Sequence, residues 1–382
     1  MSGFAPTRHA VHVLPEGGLD EKLKLGRPLR VKLGVDPTSP DVHLGFAVVL
    51  DRLREWQDAG HVVVLIVGDY TARIGDPSGR SSERPVLADD VLDANAQHFA
   101  EQAFRILDRE KTEVRFNGEW LAKLSFAEVV RLTRMLTVSR LLERDDFAKR
   151  FAAQEPISLS ELLYPPMQAY DSVAIDADVE IGGTDQLYNL LTGRDVMERY
   201  GKKPQLVVTY PLLVGLDGEE KMSKSRGNYV GILEPPEEMF GKTMSIPDGA
   251  LPQWWELVAG GGDHPEDPME WKLELARRVT ARWHGDEGAR AGEEHFTRVV
   301  RRHEAPEEMP ELVYTTANGS VYLPALLQEA AGGSGSHWRR QIDQGGVKLN
   351  GEPVHGYEVD AATLPGAVLQ AGKRQFFRLR PA

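Results

Sequence analysis

The sequence predicts an α/β protein built on a doubly wound parallel sheet. Apolar runs rich in β-branched residues, at 29–35, 61–67 and 205–210, have the continuous hydrophobicity of strands buried on both faces. A segment with helical periodicity separates the first two runs and ends at Gly60, a residue type that commonly terminates helices. Strand, helix and strand at this spacing form a βαβ unit, the building block of a doubly wound sheet.

Helical patterns continue near 87–108, 125–147 and 185–200. Beyond about residue 231, tryptophans stand among acidic and helix-favouring residues, which predicts a small helical domain. The Pro- and Glu-rich stretch at 305–311 is typical of a linker. We therefore expect an α/β domain at 1–230, a helical domain at 231–310, a linker at 311–322 and a small C-terminal domain at 323–382.

Composition excludes several classes of function. The chain contains no cysteine, which rules out disulfides, thiolate metal sites and a cysteine nucleophile. No apolar run approaches the ~18 residues that a membrane span needs, and we expect a cytoplasmic protein with no membrane partner. The net charge of −13 argues against a general nucleic-acid coat. Residues 323–382, however, contain seven basic and five acidic side chains, so this segment could bind RNA locally.

Two segments have the residue types that bind phosphates. The string GVDPTSPDVHLG at 34–45 follows a predicted strand and opens a helix, whose N-terminus attracts anions through free N–H groups. Taken alone, this segment leaves open that Asp41 is only a helix cap and His43 a surface residue. The string KMSKS at 221–225 puts two lysines three residues apart in a polar loop, and mobile lysines suit a departing phosphate.

These two segments, in this order, resemble the signature of the class I aminoacyl-tRNA synthetases. Three further strings make the chain similar to the bacterial tyrosyl enzymes with a C-terminal RNA-binding domain. They are IGDPSG at 74–79, YPPMQAYD at 164–171 and GGTDQ at 182–186. The resemblance implies a Rossmann-like catalytic domain, a helical anticodon-binding domain and a small α+β RNA-binding domain. It also implies that tyrosine is activated with ATP and transferred to tRNA(Tyr), by a homodimer.

The resemblance assigns roles to residues by position. Those that match the tyrosine pocket are Asp36, Thr71, Asp76, Tyr164, Gln168, Asp171 and Gln186. Within this set, Asp171 matches the acceptor of the phenolic hydroxyl. The positions that match the ATP contacts are His43, Gly45, Gly183, Asp185, Lys221 and Lys224. Those that match the catalytic contacts to the polyphosphate are Thr38, His43, Arg80, Arg84, Lys221 and Lys224.

This set of residue types suits the chemistry that the resemblance implies. A carboxylate that attacks the α-phosphorus of ATP is already ionised, so no general base is required. Alignment and stabilisation of the departing pyrophosphate are required instead. We expect Mg²⁺ to arrive with ATP and to be held by substrate oxygens, with no metal site made by the protein alone.

Two positions depart from the family pattern. Phe46 stands where the family has the second histidine of its HxGH motif, and Lys32 stands where it has a tyrosine that contacts the substrate hydroxyl. The tail string SHWRRQIDQGGVKLNGE at 336–352 resembles a small RNA-binding module. The resemblance assigns tRNA contacts in this module to Arg339, Arg340 and Lys348.

Two rival functions remain. A tryptophanyl enzyme has the same fold, but Asp171 and Gln168 favour a phenol over an indole. A regulatory, RNA-binding relative that has lost catalysis is suggested by Phe46.

Overall fold

The computed structural model describes residues 6–38, 41–77, 88–301, 309–316, 318–372 and 375–382. The chain divides into two compact units. The first consists of Met1–Glu234 and Ser245–Trp271, and the second of Pro235–Met244 and Lys272–Ala382. None of the helices in these described ranges is both long and apolar enough to cross a membrane.

A mixed sheet forms the centre of the first unit. Its strands are β1 (His12–Leu14), β2 (Arg30–Val35), β3 (Val62–Val67), β4 (Thr112–Phe116), β5 (Val179–Gly183) and β6 (Leu206–Tyr210). Their spatial order is β1-β6-β5-β2-β3-β4, and all neighbours are parallel except β1, which pairs antiparallel with β6. The predicted strands β2, β3 and β6 are confirmed, as is the doubly wound fold; β1, β4 and β5 were not predicted.

The strand order creates a cleft at one edge of this sheet. From β2 the chain moves outward through β3 and β4, and then returns to place β5 on the other side of β2. Open α/β sheets bind ligands at the carboxyl ends of the strands, where the order reverses in this way. Segments that follow β2, β3, β4 and β5 therefore meet at one place.

Most predicted helices are present. The helices are α1 (Gly18–Leu23), α2 (Leu44–Asp58), α3 (Asp89–Ala103), α4 (Gly118–Leu121), α5 (Phe126–Thr133), α6 (Val138–Leu141), α7 (Asp145–Ala152), α8 (Tyr164–Ala174), α9 (Leu187–Arg199), α10 (Pro236–Met244), α11 (Leu251–Val258), α12 (Pro268–Phe296), α13 (Leu323–Ala331) and α14 (Gly335–Asp343). The pattern at 125–147 is divided among α5, α6 and α7. The side chains of Ser125 and Thr137 cap the starts of α5 and α6 and interrupt a continuous helix.

The second unit begins with α10, which packs against α12. Phe240, Met244, Leu273 and Ala276 form their shared core. Helix α12 is interrupted at Gly285, where φ is 70°. Helix α11, which contains Trp254, was predicted to belong to the helical domain but lies in the first unit. Its indole Nε1 donates a hydrogen bond to the carbonyl of residue 214, at 3.1 Å.

The C-terminal part of the second unit is built from two small sheets and two helices. Its strands are β7 (Glu311–Tyr314), β8 (Ser320–Tyr322), β9 (Val347–Leu349), β10 (Glu352–Pro353), β11 (Glu358–Asp360), β12 (Val368–Ala371) and β13 (Gln375–Pro381). One sheet has the order β10-β9-β12-β13-β7, and the other pairs β11 with β8. Helices α13 and α14 contribute Leu327 and Trp338 to the core.

The range 311–322, predicted as a linker, instead supplies β7 and β8. Strand β7 pairs in parallel with β13, and β8 pairs with β11. Tyr314 and Val321 from these strands are buried in the C-terminal core. Their apolar side chains explain the difference, because the Pro- and Glu-rich composition that suggests a linker ends before them.

Candidate active site

Polar side chains that follow four parallel strands meet at the carboxyl edge of the first unit's sheet. Asp36 follows β2, Thr71 follows β3, Asn117 follows β4 and Gln186 follows β5. The remaining wall of the cleft includes α8. Its start is favoured by two prolines in the first turn, positions where a missing N–H costs nothing.

A chain of hydrogen bonds links three strand ends to α8. The hydroxyl of Tyr164 donates to Asp36 Oδ2 at 2.9 Å, and Thr71 Oγ1 donates to Asp36 Oδ1 at 2.8 Å. The amide of Asn117 donates to Thr71 Oγ1 at 3.0 Å and, more weakly, to Asp171 Oδ2 at 3.4 Å. Tyr164, Asp36, Thr71 and Asp171 are thus brought together as the sequence suggested.

Helix α8 aligns three of the predicted pocket residues on one face. Tyr164, Gln168 and Asp171 are spaced by four and three residues, which places them above one another along a helix. Gln168 is buried, and its Oε1 has no hydrogen-bond partner among the described residues. A buried acceptor without a donor is costly. An ammonium group that donates to this oxygen would remove that cost.

The carboxylate of Asp171 is buried in the cleft. Its Oδ1 accepts a hydrogen bond of 2.7 Å from the indole Nε1 of Trp120, while among the described residues Oδ2 accepts only the long bond from Asn117. Burial raises the pKa of Asp171 to about 7, although the charge of Lys32 and both hydrogen bonds oppose that rise. Near neutral pH this carboxylate is poised to accept a further hydrogen bond at Oδ2.

A second hydrogen-bond chain positions Asp76 and Gln186. The Gln186 amide donates to Asp76 Oδ2 at 2.8 Å, and its Oε1 accepts from Asn189 at 3.1 Å. Asn189 in turn accepts from the buried Arg144 at 2.9 Å. Asp76 and Gln186 therefore lie together, supported from α9 and from the segment before α7.

The HLG string lies at the start of α2. His43 is the residue before the helix and is buried; burial and the charge of Lys224 lower its pKa to about 3. The imidazole is therefore neutral at pH 7, and its Nδ1 has no hydrogen-bond partner within the described chain. Gly45 lies close beside it: a Cβ there would lie 3.1 Å from the ring, a tight contact that the imidazole would have to shift to relieve.

The KMSKS loop lies next to this helix start. Lys221 donates to Asp185 Oδ2 at 2.6 Å, and Lys224 donates to Asp41 Oδ2 at 2.6 Å. Asp41 is thus an ion-pair partner and does not cap α2. A Cβ at Gly183 would lie 2.8 Å from Asp185 Oδ1 and 2.5 Å from Leu212, so a side chain there would crowd Asp185.

The remaining predicted residues differ in their placement. Thr38 is exposed after β2, whereas Arg80 and Arg84 lie outside the described residues. The ring of Phe46 is tilted against that of His43, with centroids 4.7 Å apart, and meets that of Phe99 edge-on at 5.4 Å, so Phe46 belongs to a local aromatic cluster.

The predicted RNA contacts belong to the second unit. Arg339 and Arg340 are exposed on α14, while the partly buried Lys348 lies on β9. The opposite side of α14 holds Trp338, which is buried and donates to the carbonyl of residue 332 at 2.7 Å. Core packing therefore directs this basic pair outward.

Sequence reasoning did not find Asn117, Trp120, Ser172 or Glu180. The first two follow β4, a short strand whose partly buried residues lack a continuous apolar run. Had β4 been predicted, its parallel orientation would have brought Asn117 to the cleft. Nothing in the local sequence indicated that Glu180 is buried within β5.

Comparison with known proteins agrees with this geometry. The family model described as "tRNA synthetases class I (W and Y)" matches residues 24–300. The chain belongs to this class I tRNA synthetase family. Among curated relatives, the tyrosine–tRNA ligase of Geobacter sulfurreducens is 49% identical over 97% of this chain and 96% of its own length. The tyrosine–tRNA ligase of Moorella thermoacetica is 48% identical over 97% of this chain and 94% of its own length.

Solved structures of more distant family members share the fold. The tyrosyl-tRNA synthetase from Archaeoglobus fulgidus, solved with L-tyrosine, superposes with a TM-score of 0.60 at 22% identity. The match covers 75% of this chain and 97% of that chain. The enzyme from Aeropyrum pernix gives a TM-score of 0.61 at 20% identity over 78% of this chain and 96% of that chain.

The raised pKa of Asp171 predicts a pH-dependent gain in stability for Asp171→Asn. A carboxyl whose pKa rises from 3.8 to about 7 on folding makes the protein less stable as pH rises through that window. At pH 8, Asp171→Asn should raise the free energy of unfolding by up to about 4 kcal/mol, at about 1.36 kcal/mol per unit of pKa. Urea unfolding at pH 4 should show little difference; an equal difference at both pH values would contradict the assignment.

The close approach of the Asp36 and Thr71 side chains to Gly68 predicts that Gly68→Ala is destabilising. A Cβ at this position would overlap both Asp36 Oδ1 and Thr71 Oγ1. We expect the free energy of unfolding to fall by about 1–3 kcal/mol, as for other overpacked sites. Gly249→Ala is the control, because a Cβ there meets nothing within 4 Å. Equal urea midpoints for the two variants would refute the predicted strain.

Proposed function

We propose that this chain is a tyrosine–tRNA ligase. It activates tyrosine with ATP to tyrosyl-adenylate and pyrophosphate, and then transfers the tyrosyl group to the 3′ end of tRNA(Tyr). The observation that most supports this function is the pairing on α8 of an unpartnered buried acceptor, Gln168, with the buried carboxylate of Asp171. One end of the pocket suits an ammonium ion and the other suits a phenol.

Tyrosine binding uses both ends of this pocket. The substrate ammonium donates to Gln168 Oε1, and Asp76 and Tyr164 complete its surroundings. The phenolic O–H donates to Asp171 Oδ2, since Trp120 already occupies Oδ1. Phenylalanine would leave the buried carboxylate without that donor, and sites that bind a substrate hydroxyl reject such analogues strongly.

Adenylate formation is an in-line displacement at phosphorus. A tyrosine carboxylate oxygen forms a bond to the α-phosphorus, and the bond from that phosphorus to the bridging oxygen of the β-phosphate breaks. The electron pair leaves with pyrophosphate. Lys221 and Lys224 stabilise the departing charge, and the neutral His43 can donate one hydrogen bond. Mg²⁺ enters as part of the ATP substrate.

The lysines must change partners during this step. In the structure, their ammonium groups bind Asp185 and Asp41. Partly exposed pairs of this kind are weak, so the more highly charged polyphosphate can replace the carboxylates. Gly183 and Asp185 are then free to contact the nucleotide. The chemistry therefore depends on alignment and charge, and no group needs to remove a proton from the nucleophile.

Exchange of pyrophosphate into ATP separates the tyrosyl function from its two rivals. We expect exchange that depends on tyrosine and is at least a thousandfold less efficient with phenylalanine or tryptophan, in line with hydroxyl-binding sites. Exchange driven by tryptophan would identify a tryptophanyl enzyme. No exchange with any amino acid, together with retained tRNA binding, would favour the regulatory relative.

Transfer to tRNA extends the proposal to the second unit. We assign anticodon binding to its helical part and further RNA contacts to Arg339, Arg340 and Lys348. We also propose that the protein is a cytoplasmic homodimer in which tRNA(Tyr) contacts both subunits. Sedimentation equilibrium tests the dimer, and a monomer that retains full charging activity would contradict it.

Lys221→Ala and Lys224→Ala should each slow adenylate formation far more than they weaken tyrosine binding. A contact formed mainly in the transition state lowers kcat and leaves ground-state affinity nearly unchanged. We expect the activation free energy of the single-turnover reaction to rise by about 2–4 kcal/mol. The control is Arg226→Ala, an exposed residue of the same loop that pairs with Glu220. Weaker tyrosine binding at an unchanged rate would show that the loop has another role.

Arg339→Ala/Arg340→Ala should impair charging of tRNA but leave pyrophosphate exchange intact. Each lost phosphate contact weakens RNA binding and lowers the slope of log K against log salt by about one. Arg109→Ala, which removes an exposed arginine paired with Glu101, serves as the control. An unchanged salt slope in the double variant would exclude phosphate contacts by these arginines.

A further inference from the structure

An ion pair buried in the sheet lies behind the end of the pocket formed by Asp171. Lys32 on β2 and Glu180 on β5 are register partners in neighbouring strands. Their charged groups are 2.8 Å apart, and their side chains are 0% and 2% exposed. Beside the candidate pocket, Asp171 is the other charged group among the described residues that is buried to this degree.

Lys32 is also bound to the helix that contains Asp171. Its Nζ donates to the carbonyl of Gln168 at 3.1 Å and to Ser172 Oγ at 2.8 Å. These two residues lie three before and one after Asp171 on α8. The hydroxyl of Ser172 donates in turn to Glu180 Oε2 at 3.2 Å, and the Gln205 amide also donates to that oxygen. The ammonium is therefore held in one place, beneath the turn of α8 that presents Asp171.

Stability alone does not account for this arrangement. Removing two charges from water costs several kcal/mol per ion, and apolar residues of similar volume often replace such pairs without loss of stability. A cation fixed near a buried carboxylate, however, favours the ionised form of that carboxylate. Lys32 and Glu180 are the charged groups that act on Asp171 within the described chain, and the effect of Lys32 is the larger.

We infer that Lys32 is a positioning residue for recognition of the substrate phenol: its ammonium holds Asp171 in the ionised form that accepts the phenolic O–H. This inference rests on the proposed function. A phenol is a hydrogen-bond donor at neutral pH, and an ionised carboxylate accepts a stronger hydrogen bond than a neutral carboxyl. The buried lysine thus acts on the phenol through a second side chain, that of Asp171.

The test is the pH dependence of tyrosine binding to the full chain, measured by equilibrium dialysis. The double variant Lys32→Met/Glu180→Gln removes both charges and leaves no unpaired buried ion. The double variant Lys32→Gln/Glu180→Gln also removes both charges but keeps a polar side chain at each position. For wild type, affinity should fall as pH drops below about 7, as Asp171 becomes protonated. In both variants this fall should begin at higher pH. A displacement of one pH unit would raise the apparent Kd at pH 7 by up to about fivefold, the limit in which the neutral carboxyl does not bind the phenol.

A second buried ion pair provides the matched control. Arg150 and Glu161 lie 2.6 Å apart with side chains 4% and 3% exposed, and neither acts on Asp171. Arg150→Met/Glu161→Gln should leave the pH midpoint of tyrosine binding unchanged, even if it lowers stability. At pH 8.5, the variants at Lys32 and Glu180 should approach wild-type affinity, because Asp171 is then mostly ionised.

Two results would overturn the inference. One is a variant pH midpoint equal to that of wild type, and the other is an equal loss of affinity at every pH, which indicates a purely structural role for the pair. Failure of the proposed function is distinguishable, because wild type itself would then bind no tyrosine at any pH.

Discussion

The cleft is organised around one constraint, the burial of the Asp171 carboxylate. A carboxylate removed from water must find hydrogen bonds or a nearby cation, or it becomes protonated. Here Trp120 and Asn117 donate to it from the segment after β4, and Lys32 acts on it from β2. The doubly wound strand order makes this possible, because it brings segments that are distant in sequence to one sheet edge. The same network extends through Thr71 to Asp36 at the end of β2.

The side of the cleft that we propose binds ATP follows a different physical rule. There the cations are partly exposed and paired with single carboxylates, and the buried His43 is neutral. A ligand with several negative charges easily replaces the carboxylate of a weak ion pair. The buried pair of Lys32 and Glu180 beside Asp171 is not replaced in this way. One half of the site is therefore preorganised for selecting the amino acid, and the other half can rearrange when ATP binds and pyrophosphate leaves.

Much of this site could be predicted from sequence because its motifs are contiguous. The strings around His43, Asp76, Asp171, Asp185 and Lys221 each follow or begin a regular element, and the structure brings their residues together in one unit. Strands β2, β3 and β6 were predictable as well, since each is an unbroken apolar run.

The rest depended on contacts between distant segments. Asn117 and Trp120 were missed with β4, and β5 ends in two glycines that weaken its strand signal. The burial of Lys32 against Glu180 follows from strand register, which local patterns do not contain. Residues 311–322 show the same limitation, because β7 pairs with a strand more than sixty residues later. The roles of all the site residues stay predictions, including those of Arg80 and Arg84, which lie outside the described residues.

Titration of the aspartate carboxyls by ¹³C NMR measures the state of Asp171 most directly. We expect one carboxyl resonance with a midpoint near pH 7 that is absent from Asp171→Asn. Saturating tyrosine should move that midpoint to lower pH, because the phenol donates to the ionised form; phenylalanine should not. Two results would contradict this role of Asp171: a spectrum in which every aspartate titrates below pH 5, or a midpoint near 7 that tyrosine leaves unchanged.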